Sequence, residues 1–230
     1  MKKFIYIFII SLIFTAMPSF AVENDLSLWS PVWITQPINN KFSTLLEINP
    51  RIAKNVTHIS QLFIRPAIEY KLNKNLSFWQ GYSWDPSFIP RYTREQRIWE
   101  QVLHQKYFSK ARLENRLRLE ERFIQDVHGV AVRFRYRTGI WTPIDKNEIW
   151  KFVLWDEVWF NMGDHFKGPQ SGFDRNWLFA GINKNISDNV SLEVGYQLEY
   201  ANRTSPRQDF LNHIIVINTY FNLPQVFKSR

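Results

Sequence analysis

The chain has 230 residues, the size of one ordinary domain or of one barrel. Lysine and arginine number 29 against 21 aspartate and glutamate, a formal charge of +8, and 17% of the residues are aromatic, which excludes a disordered chain lacking apolar surface to bury. The absence of cysteine excludes a disulfide framework and a thiolate metal site, and it leaves the redox compartment open.

Lys2 and Lys3 precede an almost unbroken apolar run from Phe4 to Ala16, and Ser19 and Ala21 are the small residues a signal peptidase reads. Residues 1–21 are therefore expected to be a cleaved signal peptide, with the mature chain beginning near Val22. Without Lys2 and Lys3, 27 basic residues face 21 acidic ones. After Ala21 no apolar run approaches the ~18 residues of a membrane-spanning helix. Leu26 to Gln36 has strand character, but an extra strand would break the even count of a bacterial single-chain barrel. Residues 22–40 are accordingly expected to be a periplasmic or plug segment.

From residue 41 the pattern is alternation of period two, the mark of a strand with two unlike faces. Strands are expected near 41–53, 60–72, 76–84, 94–108, 111–123, 129–141, 148–160, 175–186, 190–200 and 209–222. The clearest is Arg112 to Phe123, where Arg112, Glu114, Arg116, Arg118, Glu120 and Arg122 share one face and Leu113, Leu117, Leu119 and Phe123 the other. Tyr82, Trp84, Trp141, Trp150, Phe160, Tyr200 and Tyr220 near strand ends are read as lying on the apolar face, the aromatic girdle of a lipid interface. Short polar turns such as Asn73 to Asn75 and Ser109-Lys110 alternate with longer connections at 85–93, 161–174 and 201–208. The expected fold is all-β, an antiparallel transmembrane β-barrel of about 10 strands, with 12 as the alternative. It spans 41–222, and 223–230 form a tail.

The marks Arg65-Pro66 with Tyr70, Gly81-Tyr82, Glu95-x-Arg97-x-Trp99-x-Gln101, Arg116-x-Arg118-x-Glu120-x-Arg122, Arg133-x-Arg135, Glu157, Gly172-Phe173-Asp174-x-Asn176, Gly181, Gly195-Tyr196 and His213 run in order through the chain. In that order and spacing the chain resembles the bacterial domain-of-unknown-function 2490 family. The resemblance implies an outer-membrane barrel of Gram-negative bacteria and no particular activity. Trp177 departs from the pattern by standing where an arginine is expected.

The candidate functional constellation is the charged face. It comprises Arg65, Glu69, Glu95, Arg97, Arg112, Glu114, Arg116, Arg118, Glu120, Arg122, Arg133, Arg135, Arg137, Glu157, Glu193 and Glu199. Arginine at the lipid midplane costs ~2–4 kcal/mol, so this face is expected to line the lumen. There it forms either an interlocked plug or a narrow pore whose arginine surplus favours small anions. Catalytic, cofactor and metal residues are not assigned. His58, His104, His128, His165 and His213 lack a serine in a nucleophile context, and the runner-up reading is an outer-membrane acyl hydrolase built on such a histidine. A soluble periplasmic sandwich or lipocalin-like binder is a further alternative. Expected partners are outer-membrane lipid and the barrel-assembly machinery. Nucleic acid is not expected, because the arginines lie inside alternating strands of an exported chain.

Overall fold

The computed structural model describes residues 23–203 and 209–227; the expected signal peptide 1–21, Val22, residues 204–208 and the last residues of the tail lie outside them. Twelve strands follow in chain order and no helix occurs among the described residues. They are β1 (Glu23–Trp29), β2 (Val32–Pro37), β3 (Phe42–Ala53), β4 (His58–Lys71), β5 (Leu76–Trp84), β6 (Glu95–Phe108), β7 (Ala111–Ile124), β8 (Ala131–Pro143), β9 (Trp150–Asn161), β10 (Gly172–Asn185), β11 (Val190–Ala201) and β12 (Phe210–Asn222). All ten strands expected from alternation are present, within a few residues at each end.

β3 to β12 form a continuous antiparallel meander, and β1 and β2 close it into a barrel. Both pair in parallel with β12 and antiparallel with β3. They keep one register throughout: Trp29 stands opposite Val216 and Arg51, while Val32 stands opposite Thr219 and Ile48. β1 and β2 are thus one line of chain interrupted at Ser30-Pro31, where proline has no N–H to give the ladder. The ladder is carried across the break by the Ser30 amide bonding Pro50 O at 3.2 Å and by the Thr219 amide bonding Pro31 O at 2.9 Å. Twelve strands therefore occupy eleven places around the barrel.

This corrects the reading of residues 22–40 as a periplasmic or plug segment. The even-number argument presumes that every neighbouring pair is antiparallel, and a single parallel seam removes that constraint. The seam also fixes where β1 begins: the Glu23 amide bonds Asp209 O at 3.0 Å, at the end that carries the long connections. The tail folds back on the opposite end, with the amides of Leu223, Val226 and Phe227 bonding the carbonyls of Thr35, Pro37 and Ile38.

The polarity of the molecule is inverted relative to a soluble barrel. The buried inner face holds Glu47, Arg65, Arg97, Arg116, Glu120, Arg133 and Glu157, whereas Ile68, Phe78, Ile98, Leu117, Leu119, Phe123, Leu178, Ile182, Val194 and Ile215 are exposed outside. Polar residues on the outer face are hydrogen-bonded across strands: Tyr136 to Asn115 at 2.8 Å, Asn176 to Asp156 at 2.7 Å, Gln80 to Glu100 at 3.3 Å, and Tyr196 with His213 at 2.6 Å.

Candidate functional site in the barrel interior

An eleven-place barrel is wider than the eight-stranded kind that ordinary side chains fill, so closing it takes the longest side chains available. β6 to β9 supply arginine and glutamate on successive inward positions. Glu120 lies at the centre. It accepts from Arg133 Nε at 3.0 Å and from Arg135 Nη1 at 2.6 Å, and the guanidinium groups of Arg97 and Arg118 stand 3.8 Å away. Glu157 Oε1 accepts from Arg116 Nη2 at 2.6 Å and Arg135 Nε at 2.8 Å, so Arg135 ties the two carboxylates together. Toward the long-connection end, Glu95 holds Arg97 Nε and Arg122 Nε, each at 2.6 Å. Toward the short-turn end, Arg137 donates to Glu114.

Most of the sixteen expected residues are thus brought together. Two stand apart from the arginines. Glu69 is buried and meets only Lys71, at 3.8 Å, as an ion-pair partner. Glu193 bonds Asn218 Nδ2 at 3.0 Å and Tyr220 Oη at 3.2 Å. Arg112 sits at the rim, 3.9 Å from Glu114, and Glu199 accepts from Arg175 Nη1 at 2.7 Å.

Sequence reasoning missed Glu47, Asp85, Asp174, Arg51 and Arg175. Glu47 pairs with Arg65 at 3.2 Å, Asp85 with Arg97 at 3.1 Å, and Asp174 with Arg133 at 3.4 Å. Glu47 and Arg51 share the inward parity of β3, a signal available in the sequence; Asp85 lies past the end of β5, where no alternation marks it. The additions change the balance. The fully buried charges are eight arginines (51, 65, 97, 116, 118, 122, 133 and 135) and eight carboxylates (47, 69, 85, 114, 120, 157, 193 and 199). With the half-buried Arg112, Arg137, Arg175, Glu95 and Asp174 counted, eleven arginines face ten carboxylates, so the surplus of two that favoured anions in a pore falls to one.

The other half of the interior is aromatic. Trp29, Val153, Trp159, Trp177, Phe179, Ile214 and Val216 form a buried cluster with Trp141 and Trp155 against it. Guanidinium groups stack on these rings: Arg135 lies 3.7 Å and Arg133 4.2 Å from the Trp159 ring centre, and Arg118 4.0 Å from that of Trp99. Trp141 and Tyr220, expected on the apolar outer face, instead point inward; Trp141 lies beneath Arg112, and Tyr220 stacks on Trp33. Their parity with Arg137 and Asn218 requires this. Glycines make room for the rings. A Cβ at Gly81 would fall 2.2 Å from a Trp99 ring carbon, and one at Gly195 would fall 2.4 Å from Phe179 Cζ.

Among the described residues no histidine is hydrogen-bonded to a serine hydroxyl. His58 contacts Thr57 Oγ1 at 2.8 Å and His213 contacts Tyr196 Oη, while His165 reaches the His128 carbonyl at 3.3 Å. The loop pairs Asp164 with His165 and Asp126 with His128 are not hydrogen-bonded: Asp164 accepts from the Ser171 amide at 2.7 Å, which holds its carboxyl below the usual range, and Asp126 meets Arg91 at 3.5 Å.

With this geometry in place, the family model described as "Protein of unknown function (DUF2490)" matches residues 26–210. The chain belongs to the DUF2490 family. A DUF2490-sized match also links it to an uncharacterised protein of Methylorubrum extorquens, 28% identical over 180 residues, covering 76% of this chain and 78% of the relative. No solved structure matches. The match begins within β1 and ends at the first residue of β12, so it takes in β2 and the meander from β3 to β11.

Proposed function

We propose that this DUF2490 protein is an integral outer-membrane barrel whose interior is sealed, a structural envelope component and not a conducting pore. The observation that supports it is the inverted distribution of polarity. Carboxylates and guanidinium groups are packed inside at 1% exposure for Glu120, Arg133 and Glu157, while the outside carries a broad apolar surface with Leu117 44% exposed. A soluble barrel gains stability by hiding such residues; only a lipid surround makes their exposure favourable. The interior is closed by stacking as well as by charge, since Arg133 and Arg135 fill the space between Glu120 and the Trp159 ring.

The test is membrane fractionation followed by planar-bilayer conductance of the refolded chain. Recovery with outer-membrane lipid and no current steps are expected. Recovery in the soluble fraction would overturn the membrane reading, and steady current steps would overturn the seal.

A further inference from the structure

At the long-connection end, β1, β3, β4, β10, β11 and β12 line a polar cavity of about 260 Å³ that is partly open to solvent, with Ser27, Arg51, Gln61, Arg175, Glu199 and Asn212 among its lining. Three of these side chains are more than nine-tenths buried and carry an atom without a hydrogen-bond partner: Ser27 Oγ, Arg51 Nε and Asn212 Oδ1. Unsatisfied buried polar groups are costly, and three lining one cavity require a shared reason. The register puts them side by side. Ser27 and Trp29 are successive inward residues of β1, with Trp29 opposite Arg51 on β3 and Asp25 opposite Asn212 on β12.

Arg51 differs from every other fully buried arginine of the interior in its surroundings. Its guanidinium carbon lies 3.4 Å from the Trp29 ring centre and 4.0 Å from that of Phe63, a flat slot that fixes its plane. Its Nη1 donates to Gln61 Oε1 at 3.4 Å, and among the described residues no carboxylate lies within ion-pairing distance. Glu199 lines the same cavity, but its oxygens are taken by Arg175 at 2.7 Å and by Asn212 Nδ2 at 3.3 Å. That second bond also orients the Asn212 amide, leaving Oδ1 as an acceptor. A planar, stacked guanidinium with no carboxylate in direct contact recognises an oxyanion. The acceptor beside it can take a hydroxyl proton of the same molecule.

We propose that this cavity binds a small soluble oxyanion bearing a neighbouring hydroxyl, with a polyol phosphate as the fitting class. The oxyanion lies against Arg51 and Ser27, and a hydroxyl donates to Asn212 Oδ1. At ~30 Å³ for each water displaced, the volume suits a solute of about ten heavy atoms. The proposal goes beyond the sealed-barrel reading and stands on the cavity alone, so a chain recovered in the soluble fraction would still be able to bind.

Calorimetric titration of the folded chain with glycerol 3-phosphate tests it, with glycerol and dihexanoylphosphatidylglycerol as comparisons. Saturable binding is expected, weakened at least tenfold by Arg51→Gln. Asn212→Asp, close in shape but placing a second negative charge at the site, weakens it at least tenfold too. Arg91→Gln, outside the cavity, leaves it within twofold. If Arg51→Gln fails to fold by circular dichroism, Asn212→Asp decides. Absence of saturable heat, unchanged affinity in the folded variants, or glycerol binding equal to that of the phosphate would each overturn the proposal. Tighter binding of the phosphatidylglycerol would overturn the assignment to a soluble solute.

Discussion

Glu120→Gln is the sharpest probe of the interior. Glu120 Oε2 serves Arg133 and Oε1 serves Arg135, with Arg97 and Arg118 close behind. An amide has one oxygen, so glutamine can satisfy one of the two arginines and turns an N–H toward the other. Four buried guanidinium groups also lose their shared counter-charge. Breaking a buried pair from one side costs ~3–5 kcal/mol, because the remaining charge is uncompensated. At ~1.4 kcal/mol per tenfold, that is a drop of roughly two to three and a half powers of ten in the folding equilibrium constant. The assay is guanidinium-induced unfolding of the refolded barrel in detergent, followed by tryptophan fluorescence. Adding Arg133→Gln should recover part of the loss, since a double-mutant cycle isolates coupled groups. A Glu120→Gln variant within ~1 kcal/mol of wild type would refute the reasoning and show that water or neighbouring groups compensate the site.

Leu117→Arg, on the outer face opposite Val102 and Tyr136, should block assembly into lipid at a cost of ~2–4 kcal/mol, whereas Leu117→Ala should assemble; equal membrane recovery of both would show that the faces are misassigned. Gly195→Ala should destabilise by ~1–3 kcal/mol, read from the same unfolding curve, because its Cβ would lie 2.6 Å from the Ala180 carbonyl as well as against Phe179. Asp145 accepts from the amides of Trp150 at 2.7 Å and Ile149 at 3.2 Å, and these bonds, that of Trp150 foremost, hold its carboxyl below the usual range. Its folded pKa is depressed, so its contribution is present above the unfolded value of ~4 and fades as pH falls through the folded one. Asp145→Asn should therefore narrow the difference in melting temperature between pH 6 and pH 3; an unchanged difference would remove Asp145 from the acid response.

Much of this molecule was legible in the sequence because alternation is a local property. Side chains i and i+2 of a strand share a face whatever their partners, so Arg116, Arg118 and Glu120 had to lie together and Leu117 and Leu119 opposite them. The same rule would have turned Trp141 and Tyr220 inward with Arg137 and Asn218. Judging those two by residue type rather than by parity put them on the wrong face. What the chain could not disclose locally is which distant strands meet. The parallel seam of β1 and β2 with β12 joins residues nearly the whole chain apart, and it gives the barrel eleven places instead of ten.

Only the tertiary structure placed Glu47, Asp85 and Asp174 against Arg65, Arg97 and Arg133 and so reduced the arginine surplus. It also accounts for Trp177 where an arginine was expected: the ring lies 4.3 Å from that of Trp159 and 5.2 Å from that of Trp29, in the aromatic half of the interior. The family marks Gly81, Gly181 and Gly195 acquire their reason in the same way, as the missing Cβ atoms beneath Trp99 and Phe179. Alternation along the chain was enough to set β3 to β12 and the inside-out polarity, since both follow from the order of residues along one strand. Ring closure, charge balance and the slot around Arg51 were decided by the tertiary structure, because each depends on which strands lie side by side.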